Sequence, residues 1–221
     1  MPRPFTEVEK QAIRSRLMET GRSCFLRYGL KKTTIEDLTS SAGIAKASFY
    51  LFFESKEQLF VEIFVKEIPA MTERLLDASF RTTHNARDAL VRLMKAIVIE
   101  IETNEMSRMM LDDPTELERL ASALDYPAIL EQTGQLFDPL LEAVADAQAR
   151  GEVIQGDPLQ ITYSLGLIKL LPVSRDRIPQ TLYDDLFDLM PRVIADGLTC
   201  PARHPTASGD EPTPDGEGRT R

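Results

Sequence analysis

The apolar residues of this chain recur at helical spacing, and the clearest pattern lies near the N-terminus. Three of them follow one another at intervals of three and four positions, which places them on one face of a helix: Ile35, Leu38 and Ala42. Gly43 comes next, and a glycine there tolerates the positive φ with which a helix ends in a tight turn. A second short helix over residues 45–52 would bury Phe49 against the first. The pattern predicts a helix-turn-helix over residues 33–52.

Capping residues delimit the helices around this motif. Thr34 is the predicted N-cap of its first helix, with the hydroxyl accepting from the backbone N–H of Asp37. Ser55 starts a long connecting helix, and Pro69 inside that helix predicts a kink. Before the motif, residues 8–28 carry apolar side chains along one side and predict an amphipathic helix.

The rest of the chain also has helical periodicity, with no alternating strand pattern, so the predicted class is all-α. Asparagine, proline and glycine mark the predicted helix ends. The predicted helices cover residues 85–101, 105–111, 113–127, 128–150 with an interruption at Pro139, 157–171, and 179–198. Residues 200–221 contain almost no apolar side chains and predict a disordered tail.

The charge distribution favours nucleic-acid binding by the N-terminal part. The 221-residue chain has a net charge of −9, which by itself argues against nucleic acid. Residues 1–56 contain ten Lys or Arg and six acidic residues, a balance of +4, so the remainder carries −13. A basic head on an acidic body directs the head toward phosphate and keeps the body away from it.

Composition gives no indication of a cofactor, a metal or a membrane segment. The two cysteines, Cys24 and Cys200, are 176 positions apart and provide neither a disulfide framework nor metal-ligand spacing. No apolar run approaches the roughly 20 residues that a membrane span needs, and the polar N-terminus is not a signal peptide. We therefore expect a cytoplasmic protein.

Residues 8–64 resemble the DNA-binding domain of the TetR/AcrR family of bacterial transcriptional regulators. The matches keep fixed spacing through the whole stretch: Leu17, Met18, Cys24, Phe25, Gly29, Leu30, Thr33, Thr34, Ile35, Asp37, Leu38, Ala42, Gly43, Ile44, Lys46, Tyr50, Phe53, Ser55, Lys56, Glu57 and Leu59. The resemblance implies a three-helix DNA-binding domain joined to a helical ligand-binding and dimerisation domain over residues 65–199. It also implies a homodimer that binds double-stranded operator DNA and responds to a small-molecule effector.

Six residues are the expected DNA contacts. Lys46 stands at the start of the recognition helix, where its ammonium can donate to guanine O6 and N7, and Ala45 and Ala47 are short enough to pack on a thymine methyl. Tyr50 and Lys56 resemble the family's phosphate-contacting positions, and Thr34 adds a donor. Solvated surface positions are the alternative for Lys46, and a half-buried prop is the alternative for Tyr50.

The chain departs from the family pattern at three positions of the motif. Ala45 replaces a frequent serine that would cap the recognition helix. Phe52 replaces a frequent histidine or tyrosine, which removes one expected phosphate contact. Thr39 occupies a position usually held by alanine, where the two helices of the motif approach each other.

The last two predicted helices carry more apolar surface than one buried face requires. Ile161, Leu165, Ile168 and Leu171 form one stripe, and Leu182, Leu186, Leu189, Val193 and Ile194 form another. Additional apolar residues widen these stripes and predict burial against a second copy of the chain. The expected interface residues are Leu167, Leu170, Leu186, Phe187 and Met190. A dimer would present two recognition helices about 34–36 Å apart to a palindromic operator.

The middle helices are the expected place for an effector pocket, because methionine suits adaptable apolar sites. Ordinary core packing is the alternative for each candidate residue. The candidates are Met94, Met106, Met109, Met110, Tyr126, Phe137 and Tyr163.

Two other classes of protein compete with a regulator. An enzyme is disfavoured because the chain has two histidines, His84 and His204, and no phosphate-binding loop, nucleophile elbow or metal-ligand cluster. A helical ligand-binding or adaptor protein without specific DNA affinity remains the alternative. The resemblance favours repression, and the residues themselves do not decide between a repressor and an activator.

Overall fold

The computed structural model describes residues 5–112, 115 and 134–199. Every regular element in these ranges is helical, with no strand among them, so the all-α prediction is confirmed. The α-helices are α1 (Glu7–Lys32), α2 (Ile35–Ala42), α3 (Lys56–Ala78), α4 (Ala86–Thr103), α5 (Glu105–Asp112), α6 (Asp138–Ala149), α7 (Pro158–Gly166), α8 (Leu170–Val173) and α9 (Gln180–Thr199). Short 3₁₀ helices cover Lys46–Leu51, Gln135–Phe137, Leu167–Lys169 and Arg175–Arg177. Within the described ranges, no helix is long and apolar enough to cross a membrane.

Helix α1 begins at a capping box and ends at a glycine. The Thr6 hydroxyl accepts from the backbone N–H of Glu9 at 3.3 Å, and the Glu9 carboxylate accepts from the backbone N–H of Thr6 at 2.7 Å. At Gly29 the backbone leaves the helical conformation with φ of 77°, before a short continuation to Lys32. The predicted helix end at Gly29 is therefore confirmed.

The turn of the motif and its second short helix agree with the prediction. Gly43 ends α2 with φ of 71°, in the left-handed region. Residues 46–51, which we call the recognition segment, form the second short helix as a 3₁₀ helix. Ala45 at its N-cap makes no side-chain hydrogen bond, and the N–H of Ser48 bonds to the Ala45 carbonyl at 2.8 Å. An uncapped segment of this length satisfies its first amides with such tighter bonds.

The N-terminal helices enclose a core of their own. Its largest fully buried side chains are Phe25, Phe49, Phe53 and Phe60. Gly21 allows α1 and α3 to approach closely, because a Cβ atom there would lie 3.0 Å from side-chain atoms of Leu59 and Ile63. The recognition segment is held on this core through Phe49, as the apolar pattern predicted.

Helix α3 connects this head to the rest of the chain. Ser55 caps it by accepting from the backbone N–H of Gln58 at 3.0 Å, which confirms the predicted start. The helix continues through Pro69 to Ala78, so the proline does not end it.

The second core belongs to the body and is built around α4. Leu90, Leu93, Met94 and Val98 on this helix are fully buried. They form one cluster with buried side chains of α3 and of the helices after residue 137, among them Leu75, Val144, Leu165, Ile168 and Ala195. Asn85 caps α4 through the backbone N–H of Asp88 at 3.1 Å, as predicted.

Two predicted helices of the body contain a break. The chain passes from the 3₁₀ turn Gln135–Phe137 into α6 just before Pro139, whose missing N–H costs no hydrogen bond in the first turn of a helix. The helix predicted over residues 157–171 is divided into α7, a 3₁₀ turn and α8. Pro172 in α8 has no N–H to donate to the preceding turn, which disfavours a continuous α-helix. The predicted helix over residues 113–127, the first residues of the one over 128–150, and the tail over 200–221 lie outside the described residues.

Candidate nucleic-acid interface

The N-terminus of α2 is fixed by a reciprocal hydrogen-bond pair. The Thr34 hydroxyl accepts from the backbone N–H of Asp37 at 3.2 Å, and the Asp37 carboxylate accepts from the Thr34 hydroxyl at 2.6 Å and its backbone N–H at 2.9 Å. These bonds to Thr34 hold the pKa of Asp37 below its usual range. The Thr34 hydroxyl, an expected DNA contact, is thus engaged within the cap.

The recognition segment divides its side chains between core and solvent. Phe49 is fully buried, whereas Ala45, Lys46 and Ala47 are exposed and Tyr50 is 60% exposed. The exposed residues include the short apolar groups and the cation that were predicted to contact bases. A lysine beside small side chains on one exposed helix surface can approach the floor of a major groove.

Lys46 has a partner on the neighbouring helix. Its Nζ atom lies 3.3 Å from a carboxylate oxygen of Glu36, in the first turn of α2. Both side chains are mostly solvent-exposed, at 60% for Lys46 and 71% for Glu36. Such an exposed ion pair contributes at most about 1 kcal/mol, so it leaves both charged groups accessible to a ligand.

The ammonium group of Lys56 is bound to the end of α1. Its Nζ atom donates to the backbone carbonyls of Leu30 at 2.6 Å, Thr33 at 2.8 Å and Lys31 at 3.1 Å. These carbonyls belong to the turn after Gly29, where helical bonding has ended. In the structure, Lys56 therefore has a positioning role, because it joins the start of α3 to the turn before α2. The same ammonium group is the one that was predicted to contact a phosphate.

A depression of about 350 Å³ lies where the N-termini of α2 and α3 meet. Its lining combines hydroxyl groups, lysines and glutamates with the ring of Tyr50: Lys31, Thr33, Thr34, Ile35, Tyr50, Glu54, Ser55, Lys56 and Glu57. The positive ends of two helix dipoles meet there, which favours an anion such as a DNA phosphate. Glu54 and Glu57 oppose that preference.

Arg14 on α1 contacts the residues that directly follow the recognition segment. Its guanidinium donates to the carbonyl of Phe52 at 3.0 Å, pairs with Glu62, and lies 4.5 Å from the centroid of the Phe53 ring. Burial raises the pKa of Glu62, and the positive charge of Arg14 opposes that rise. The ring of Phe52 lies 6.2 Å from that of Phe5, so the residue that replaces a frequent histidine is half-buried in an apolar contact.

Comparison with known sequences shows that the helix-turn-helix region matches a known family. The family model described as "Bacterial regulatory proteins, tetR family" matches residues 17–63, which include α2 and the recognition segment. The chain belongs to the TetR family. The HTH-type transcriptional repressor KstR2 of Mycolicibacterium smegmatis is 29% identical over 157 residues, which cover 68% of this chain and 74% of KstR2. The probable acrEF/envCD operon repressor of Escherichia coli K12 is 34% identical over 68 residues, or 31% of this chain and 30% of the repressor.

Two solved structures share the fold over most of the chain. A TetR family transcription regulator from Marinobacter aquaeolei VT8 has a TM-score of 0.56 at 21% identity, covering 87% of this chain and 98% of the regulator. RolR in complex with resorcinol has a TM-score of 0.61 at 14% identity, covering 88% of this chain and 98% of RolR. At these identities the likeness concerns the fold alone.

A polar cluster in this TetR-family chain joins the head to the body, and local sequence patterns did not indicate it. The Arg22 guanidinium on α1 bonds to Glu67 on α3 at 3.1 Å and to Glu105 on α5 at 2.9 Å. The Asn104 side chain donates to the same Glu67 at 2.9 Å. Because Arg22 and Glu105 are 83 positions apart, no periodicity could connect them.

Among the residues that the structure describes, the predicted pocket residues fall into two separate clusters and one exposed position. Met106 is fully buried in the head core and Met109 packs against it, whereas Met94 and Phe137 belong to the body cluster. Tyr163 is 56% exposed. Helix α5 thus docks on the head through its methionines, whereas Met94 and Phe137 remain in the body. The Met110 side chain and Tyr126 lie outside the described part.

The predicted interface residues fall on two different surfaces. Leu167 and Leu170 are exposed, as an intermolecular contact requires, and Leu186 is half-buried. Phe187 and Met190 instead pack against the body core of their own chain, and the Nζ atom of Lys95 lies 5.1 Å from the centroid of the Phe187 ring. The exposed apolar residues of α9 are Leu182, Leu189 and Val193. Phe187 and Met190 are thus only partly exposed, because they share their contacts with the core of their own chain.

Proposed function

We propose that this chain is a dimeric repressor that binds a palindromic operator and is released from it by a small molecule. The observation that carries the proposal is the exposed face of the recognition segment, with Lys46, Ala47 and Tyr50 beside two helix N-termini. In this proposal residues 8–64 bind DNA, and residues 65–199 bind the effector and the second subunit. The names of the relatives KstR2 and the acrEF/envCD operon repressor favour repression.

In the proposed contact with DNA, the functional groups divide by chemistry. Lys46 donates to guanine, and Ala45 and Ala47 pack on thymine methyl groups in the major groove. Tyr50 and the first turn of α3 contact phosphates from the depression between the helices. Phosphate contacts set the orientation of the head, and the base contacts select the sequence.

The proposed dimer interface is the apolar surface shared by α7, α8 and α9. Large apolar side chains are exposed on each of these helices and on the turns between them: Leu159, Tyr163, Leu167, Leu170, Val173, Leu182, Leu189 and Val193. An apolar surface of this kind on a monomer marks an interaction site. A two-fold axis through it would duplicate the recognition segment, which explains a palindromic operator.

The proposed effector is apolar or amphipathic and binds in the body, where Met94 and Phe137 belong to one cluster. A shift of α4 or α5 would reach the head through Met106 and through the bonds of Arg22 to Glu67 and Glu105. Only an effector that binds the two states with different affinity can drive this shift.

A selection from duplex DNA of randomised sequence, followed by gel shifts, tests the proposal. The full chain should enrich a palindromic sequence and bind it with a steep dependence on salt. If no sequence is enriched and the body binds a ligand, the alternative of a helical ligand-binding or adaptor protein without specific DNA affinity would be favoured instead. Genomic footprinting would then name the regulated genes and, through them, the class of effector.

A further inference from the structure

The ion pair between Glu36 and Lys46 spans the two elements of the motif that face DNA. It joins the first turn of α2 to the first residue of the recognition segment, with Nζ and carboxylate oxygen 3.3 Å apart. Because both side chains are largely in solvent, the pair adds little to folding stability. Its position suggests a role in recognition more than in stability.

Helix capping does not account for Glu36. The capping bonds of α2 are made by Asp37, which accepts from Thr34 and leaves the Glu36 carboxylate outside the cap. A carboxylate on a surface that approaches phosphates weakens DNA binding for every sequence. A base that donates a hydrogen bond to that carboxylate would offset this cost, and only at the sequences that contain it.

We infer that Glu36 is a specificity-determining residue that reads, together with Lys46, one G·C base pair in each half-site; this rests on the proposed operator binding. In the major groove, guanine presents the acceptors O6 and N7, and cytosine presents the N4 donor. Lys46 donates to guanine and Glu36 accepts from cytosine. Guanine O6 and cytosine N4 are hydrogen-bonded to each other within the pair. The Lys46 ammonium and the Glu36 carboxylate, which are also at hydrogen-bonding distance from each other, can therefore contact these two neighbouring atoms side by side.

Substitution of Glu36 changes the predicted preference in a specific direction. Glutamine can both donate and accept, and it pairs with adenine N6 and N7. Glu36→Gln should therefore shift the preference at the cytosine position toward adenine. Glu36→Ala should reduce discrimination at this position by roughly 5- to 150-fold, the equivalent of one well-placed base contact. Glu36→Asp keeps the acceptor and should retain the preference for cytosine.

The experiment uses the full-length protein and duplexes selected from a randomised pool, with every single-base variant of the selected sequence measured by gel shift. Glu54→Gln is the matched control, because it removes an exposed carboxylate from the depression beside the recognition segment without touching Lys46. The control should raise affinity for all duplexes by a similar factor and leave base preference unchanged. Thermal unfolding checks that each variant is folded.

The outcomes separate this inference from the proposed function. Two results together would support a joint reading of one base pair. The base preference of Glu36→Gln should shift toward adenine, and this shift should be absent from the double variant that also carries Lys46→Ala. If Glu36→Gln behaves like Glu54→Gln, with higher affinity and unchanged preference, Glu36 is only a surface acid and the inference fails. If the unmodified chain selects no sequence at all, the proposed function fails with it.

Discussion

The ammonium nitrogen of Lys56 lies 2.6 Å from the backbone carbonyl oxygen of Leu30, where α1 has already left its regular path. The same group also donates to the carbonyls of Lys31 and Thr33. One side chain thereby fixes the turn that separates α1 from α2 against the start of α3. The orientation of the DNA-binding face depends on this connection.

Replacing Lys56 by methionine should lower the free energy of unfolding. The carbonyls lose a charged donor, and we expect a loss of about 1–3 kcal/mol. Lys66→Met, on the exposed side of α3, is the control and should have little effect. Urea denaturation measures both. Unchanged stability combined with a salt slope reduced by about one unit would instead make Lys56 chiefly a phosphate contact.

Replacing Thr34 by alanine should destabilise α2 in a pH-dependent way. Loss of an N-cap costs about 1 kcal/mol. Hydrogen bonds from Thr34 lower the pKa of Asp37, so their stabilisation is present above the ordinary pKa of about 3.9 and is lost as the pH falls through the folded-state value. The loss of unfolding free energy caused by Thr34→Ala should therefore be smaller at acidic pH. Urea titrations at several pH values measure this loss, with Ser40→Ala as control. An equal loss at every pH would contradict the prediction.

Replacing Lys46 by alanine should affect sequence discrimination more than overall affinity. We expect a loss of about 1–3 kcal/mol of discrimination at one base pair in each half-site. Lys32→Ala, at the exposed end of α1, removes a charge and should weaken binding to all duplexes alike. Gel shifts on single-base operator variants distinguish the two patterns. An even loss across all variants in Lys46→Ala would make Lys46 a phosphate contact.

Replacing Leu189 by glutamate should produce a folded monomer. Its side chain is 50% exposed on the outer face of α9, so the charge is costly only in the proposed dimer. Phe187→Glu places the same charge against the body core and should impair folding. Val8→Glu, at an exposed position of α1, is the control. Light scattering and thermal unfolding report the two properties. A Leu189→Glu protein that remains dimeric would place the interface elsewhere.

Replacing Arg22 by methionine should weaken the coupling between effector and operator. The bonds of Arg22 to Glu67 and Glu105 form a direct polar link from the head to α5. In the unmodified chain, operator DNA should lower effector affinity by the same factor by which effector lowers operator affinity. Calorimetry with an effector found by thermal-shift screening measures that factor in both directions.

Arg22→Met should bring this factor closer to one. Arg81→Met is the matched control, since Arg81 pairs with Glu73 and Asp77 within the body. A factor unchanged by Arg22→Met would show that the coupling passes through apolar contacts such as those of Met106. An effector affinity that operator DNA leaves unchanged in the unmodified chain would exclude the coupling itself.

Sequence alone determined the features that depend on neighbours within about four positions. The cap of Thr34 with Asp37, the start of α3 at Ser55 and the ends of helices at Gly29 and Gly43 all follow from local backbone chemistry. The spacing of Ile35, Leu38 and Ala42 likewise predicted the motif. The family could be recognised because its signature consists of such local features.

Tertiary structure decided which of several equivalent surfaces became the core. Helix α9 is apolar on more than one side, and its packing on α4, with the pairs of Lys95 with Asp188 and Arg87 with Asp196, turns Phe187 inward and Leu189 outward. Local periodicity cannot choose between two apolar faces, because both satisfy the same spacing.

The same limit applies to the polar contacts of the candidate interface. Lys56 is 26 positions from Leu30, and Glu36 is 10 positions from Lys46. Each pair forms because folding brings separate elements together, so the sequence identified the lysines as cations without showing what they contact. Their partners, on which the proposed roles of Lys56 in positioning and of Lys46 in base reading depend, are brought into contact only in the folded chain.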